Sequence, residues 1–170
     1  MNNKPNKSDY DSYFDTYIGL VDTDDILEYL NKQGTDVIAM LRALPAKKHD
    51  FAYADGKWTV KQLLRHVIDM ERIFGYRAMT IARKDKIELP GFDEDRYVAT
   101  SNDSSNTFDS LIEEYDLLRK SNLMQFKHFT EEMFLEKGRA NGTEVSVRAI
   151  IFIIAGHLEH HKTILKERYL

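Results

Sequence analysis

The chain has 170 residues, of which 42% are hydrophobic and 31% charged, with a formal net charge of -4. That composition suits one folded domain with a real core rather than a disordered chain, and the acidic balance argues against nucleic acid as a partner. Cysteine is absent, which excludes disulfides and thiolate metal ligands, and no run of about 20 apolar residues offers a membrane span.

The opening stretch MNNKPNKSDYDSYF is polar and lacks the apolar core of a secretory signal, so a cytoplasmic location is expected. Residues 1–20 read as a flexible N-terminal arm, although Tyr10, Tyr13, Phe14 and Tyr17 recur at near-helical spacing and could dock on the body. Residues 21–170 read as the folded domain. A first helix is expected over about 24–44, with Thr23 as its cap and Ile26, Leu30, Val37, Leu41 and Leu44 on one face. Pro45 ends it.

A second helix is expected over about 60–83, opened by a capping box of Thr59 and Gln62 and striped by Leu63, Val67, Phe74, Ala78 and Ile81. A third covers about 105–129 and turns Phe108, Leu111, Ile112, Tyr115, Leu118 and Leu123 inward. A helical turn at 130–136 follows. The fourth runs over about 147–168, capped by Ser146, with Val147, Ile150, Ile154, Leu158 and Leu165 as its stripe. No strand pattern competes: the apolar run IIFII could be a buried strand, but the helical periodicity extends past it on both sides.

Loop lengths set the topology. The connections at 45–58 and 138–145 can join antiparallel neighbours, whereas 84–104 is long. A helix of about 24 residues stands roughly 35 Å tall, and a linker of about 20 residues reaches roughly 65 Å, enough to cross a whole bundle. The expected fold is therefore all-α, a four-helix bundle in up-down-down-up order with the long crossover between the second and third helices.

That order bears on the histidines. His157 and His161 are four apart and share a helix face, so the pair can grip one ion. His66 lies roughly 10 Å into the second helix and His161 roughly 10 Å from the end of the fourth, and in an antiparallel pair those depths coincide. Three imidazoles would leave a position open for water or substrate, as a catalytic metal requires. The competing reading is a surface cluster of His157, His160 and His161 beside the C-terminus. His49 and His128 have no partner at useful spacing and read as surface or helix-end residues.

Asp69, three residues after His66, is a candidate to orient a ring nitrogen or a water; a plain solvated carboxylate is the alternative. Glu159 falls on the polar face and is a poor ligand candidate. Arg72, Arg77 and Arg148 read as ion-pair residues, with steering of an anionic substrate as the other reading. Trp58 is expected to pin the first turn to the core. No phosphate loop, HExxH or GxSxG motif occurs. A histidine-only set suits a divalent ion, zinc or nickel first, with iron, cobalt and manganese also compatible.

Three stretches in order, FAYADGKWTVKQLLRHVIDMERIFGYRAMTIAR, LPGFDEDRYV and VSVRAIIFIIAGHLEHHKTILKERYL, resemble the DinB/YfiT-like superfamily of metal-dependent enzymes over about residues 24–170. The resemblance implies the same bundle, with the family's first ligand falling on His66 and its HxxxH pair on His157 and His161. It also implies a small-molecule substrate, frequent homodimers, and relatives that use a low-molecular-weight thiol, among them S-transferases and a maleylpyruvate isomerase. A thiol S-transferase of detoxification type is thus the leading expectation. The alternatives are a metal-dependent hydrolase and a non-catalytic metal-binding or stress-response homodimer.

Overall fold

A computed structural model describes residues 4–102 and 105–170. Residues 1–3 of the expected arm and 103–104 of the expected crossover lie outside the described residues. In chain order the elements are α1 (Asp15–Gly19), α2 (Ile26–Arg42), α3 (Val60–Ala82), β1 (Glu88–Leu89), α4 (Glu94–Thr100), α5 (Phe108–Lys127), α6 (Glu131–Leu135), β2 (Lys137–Ala140), β3 (Thr143–Ser146) and α7 (Val147–Ile164).

Each long helix starts where a side chain takes its orphan amides. Thr59 and Gln62 form the capping box of α3, Thr107 caps α5 through Ser110, and Ser146 caps α7 by accepting from the Ala149 amide at 3.1 Å. At α2 the cap is Asp25 rather than Thr23: its carboxylate accepts from the Leu27 and Glu28 amides, both at 3.1 Å. Thr23 serves one step earlier, its hydroxyl accepting from the Asp25 amide.

The helices α2, α3, α5 and α7 make the bundle, with α3 packed on both α5 and α7, and α2 on their other sides. Helices α3 and α5 are parallel, because their contacts climb together: Arg65 with Glu114, Glu71 with Arg119, and the Gly75 carbonyl with Gln125. The segment between them must therefore return along the full bundle, which gives the up-down-down-up order. On the way α4 packs against α3.

The strands are the element that helical periodicity does not reveal. The connection expected at 138–145 is a hairpin, β2 against antiparallel β3, and β1 of the crossover adds to β2 in parallel. Asn141 and Gly142, at φ 51° and 79°, make its turn. An Asn-Gly pair is the residue choice that such a left-handed two-residue turn demands.

The apolar core has two parts. One gathers Phe74, Ala78, Phe126 and the first half of α7; the other gathers Leu63, Val67, Leu111, Tyr115 and Leu158. Between them in chain order lie Glu71 and Arg119, both buried. Residues 4–20, within the expected arm, lie against the bundle. Ile18 is fully buried, Phe14 packs edge-on to Phe74, and α1 rests on α7. The contact is close because position 156 is glycine: a Cβ there would meet the Tyr17 carbonyl oxygen at 2.0 Å.

Candidate metal centre

Antiparallel packing of α3 on α7 brings His66, His157 and His161 to one level. They are 6%, 5% and 8% exposed. The Nε2 of His157 lies 3.0 Å from the Nε2 of His66 and 3.0 Å from that of His161. One nitrogen from each of the three falls within 4.8 Å of the others. Trp58, just ahead of the Thr59 cap, lays its ring 4.7 Å from that of His66, and Tyr17 approaches the His157 ring edge-on at 5.6 Å.

Burial makes protonation of these rings costly. It pulls the pKa of His66 down to about 4 and that of His161 down to about 3, and takes His157 well below the usual histidine value. At His66 the Asp95 carboxylate of α4 acts against this and His160 acts with it, and at His157 and His161 the neighbouring imidazoles act in the same direction as burial. At neutral pH the site thus presents three uncharged imidazoles with converging lone pairs. That donor set fits a divalent ion. Bonds of about 2.0–2.1 Å in tetrahedral array hold two nitrogens roughly 3.3 Å apart, close to the observed spacing. Among the described residues Nδ1 of His161 is buried without a hydrogen-bond partner, while its Nε2 faces that of His157. Among the described residues no fourth His, Asp or Glu joins the group, which leaves a coordination position open.

Next to the histidines lies a cavity of about 380 Å³. His66 and His157 form part of its wall, with Tyr17, Phe74, Phe92 and Arg77. The arm contributes Asp11, Tyr13, Phe14 and Tyr17, the crossover Gly91, Phe92 and Glu94, and the hairpin Asn141 and Thr143. Burial pushes the Tyr17 hydroxyl up to about 12, so it stays a hydrogen-bond donor.

The other sequence candidates fall elsewhere. Asp69 pairs with Arg65 at 3.9 Å and lines a separate groove with Tyr97, Thr100 and Ser101. Glu159 accepts from Gln33, Tyr29 and Lys162. His49 stacks on Phe108 with centroids 4.0 Å apart, and His128 caps the end of α5. His160 is half-buried, 5.1 Å from the His161 ring. Arg72 and Arg148 do make ion pairs, with Glu114 and Asp9 at 3.1 and 2.9 Å. Arg77 makes none among the described residues; it lines the cavity. Of the wall, the sequence offers only the crossover, as a stretch able to supply pocket residues or to run as a solvent-exposed connector, and Phe92 comes from it; Tyr17 and Asn141 were not assigned to the site. The aromatic spacing of the arm and the Asn-Gly pair were the available signals.

The chain matches the DinB superfamily over residues 29–165. Among solved structures it is similar to YfiT from Bacillus subtilis, at TM-score 0.74 and 16% identity over 97% of this chain and 90% of that one. YfiT is reported as a probable metal-dependent hydrolase with an unusual four-helix bundle topology. It is also similar to a mycothiol-dependent maleylpyruvate isomerase, at TM-score 0.69 and 12% identity over 87% of this chain and 62% of the isomerase. No curated protein matches in sequence.

Proposed function

The chain belongs to the DinB superfamily, and from that premise we propose that it is a metal-dependent thiol S-transferase acting on a small electrophile. The observation that carries this is the cluster of three buried, uncharged imidazoles against a cavity of about 380 Å³. His66, His157 and His161 would hold the ion, and α3 and α7 fix their spacing. A divalent ion held there supplies Lewis acidity, which lowers the pKa of a thiol or water placed beside it. The low-molecular-weight thiol is proposed on the resemblance to a mycothiol-dependent enzyme.

The residues of the chain have three tasks. The histidines stay neutral at working pH and keep their lone pairs on the site. Phe14, Phe74 and Phe92 give the cavity apolar walls that exclude water and favour an electrophilic carbon skeleton. Tyr17, protonated at neutral pH, stands where it can donate to a polar group of the bound molecule. In the transfer the thiol sulfur forms a bond to carbon, the carbon–halogen bond breaks, halide leaves with the bonding pair, and the thiol proton passes to solvent.

The test is turnover of an aryl chloride with a panel of thiols by protein loaded with zinc, nickel or manganese. A rate that disappears on chelation and in His157→Ala supports the reading. No rate above background with any thiol and any metal overturns it. The open coordination position and the likeness to YfiT favour one second reading, metal-dependent hydrolysis. Thiol-independent, metal-dependent cleavage of an ester or amide panel would select it.

A further inference from the structure

Arg77 is the charged group of the cavity that the reaction above leaves without a task. It is 6% exposed, yet among the described residues no carboxylate pairs with it. Its Nη2 donates to the Pro90 carbonyl at 2.7 Å, and its guanidinium carbon lies 5.1 Å from the Phe74 centroid and 5.8 Å from that of Phe92. A guanidinium has five N–H donors, and one carbonyl satisfies only one of them. The carboxylates that share the cavity wall are engaged elsewhere or exposed. Asp11 caps a turn by accepting from the Tyr13 amide at 2.8 Å, and Glu94 is solvent-exposed in the first turn of α4. The one other buried arginine among the described residues, Arg119, shows the contrast: it is gripped by both oxygens of Glu71.

We propose that Arg77 is the anchor for a compact anionic group on the molecule that fills this cavity, which makes the substrate or its thiol partner an acid. The inference rests on the cavity being the substrate site of the proposed enzyme. Phe74 and Phe92 lie against the guanidinium and Pro90 holds one end, so the fork is ordered before the ligand arrives. A carboxylate or sulfonate docked on it gains charge-assisted bonds in surroundings drier than bulk water. The ligand's other end would then lie toward His66 and His157, which share the wall.

Trp58, the only tryptophan of the chain and 4.7 Å from the His66 ring, provides the readout. Its emission is titrated in zinc-loaded protein with two matched sets of probes. One set is 3-mercaptopropionate, 2-mercaptoethanesulfonate and the neutral 3-mercaptopropanol; the other is butyrate and butanol, which lack the thiol. The anions are expected to bind roughly ten- to a hundredfold more tightly than their neutral partners. Arg77→Met should erase that preference and Arg77→Lys should keep part of it. The two acids with sulfur separate carboxylate from sulfonate recognition. Preference for butyrate over butanol without any gain from a thiol supports the anchor while counting against the S-transferase reading. Equal affinity for charged and neutral probes in the parent protein, or a preference that survives in Arg77→Met, overturns the proposal. If a variant fails to fold, the parent comparison is repeated on chelator-treated protein, where no ion can attract the anion and a preference that disappears overturns the proposal.

Discussion

Glu71 and Arg119 meet with 3% of each side chain exposed, joined by bonds of 2.6 and 2.7 Å. Arg119 also donates to the Leu30 carbonyl and to Gln33, which in turn donates to the Ala155 carbonyl on α7. One guanidinium thereby ties α2, α3 and α5 at mid-bundle, with Gln33 carrying the link to α7. Replacing a single partner leaves an uncompensated buried charge, so Arg119→Met should cost about 3–5 kcal/mol. The double change with Glu71→Met should recover much of that loss. Urea unfolding of the single and double variants measures it, and a single-variant loss below about 1 kcal/mol would show the pair to be dispensable. Helical periodicity does not locate this network. A charged residue at an inward position reads as surface until its partner is known, and Glu71 lies 48 residues away in sequence.

The long helices, by contrast, were legible because their apolar stripes and caps are local. Ile26, Leu30, Val37, Leu41 and Leu44 are all buried, as are the stripes read for α3 and α7. The depth argument that aligned His66 with His161 used only helix rise and loop length, and the three rings do meet. The cavity walls from α1 and the hairpin were not legible, because they are short pieces whose positions depend on tertiary contact; the crossover could be named as a wall candidate only as a stretch, not by residue. The seat of α1 gives a test at this scale. Gly156→Ala places a methyl 2.0 Å from the Tyr17 oxygen and 2.4 Å from its carbonyl carbon, both backbone atoms. The N-terminal segment has to move, at a cost of about 1–3 kcal/mol. Limited proteolysis should then cut near residues 10–20 faster than in the parent. Unchanged cleavage would mean that α1 adapts without leaving its seat.

Across the whole molecule the histidine centre couples folding to protons, and a metal bound there would be coupled to folding as well. An unfolded histidine titrates near pH 6.5, whereas His66 and His161 are held down to about 4 and about 3. Below pH 6.5 the unfolded chain therefore takes up protons that the folded site refuses, and stability falls as pH falls. Chelator-treated protein should show a urea midpoint that drops steadily between pH 6.5 and 5, above the range where carboxylates protonate. A flat profile there would contradict burial of the rings. Zinc at a hundredfold over its dissociation constant should add about 2.7 kcal/mol at pH 7. The gain should shrink toward pH 5 as protons compete for the same nitrogens.

His66 and His157 are separated by 91 positions along the chain. A ribosome therefore finishes α3, the crossover, α5 and the hairpin before the second histidine of the site exists. Until α7 emerges and docks, a nascent chain carries only one of the three donors and has little hold on an ion. A metal held by these three histidines would thus be captured only by the late, nearly complete polypeptide, and its loading would report that the bundle has closed.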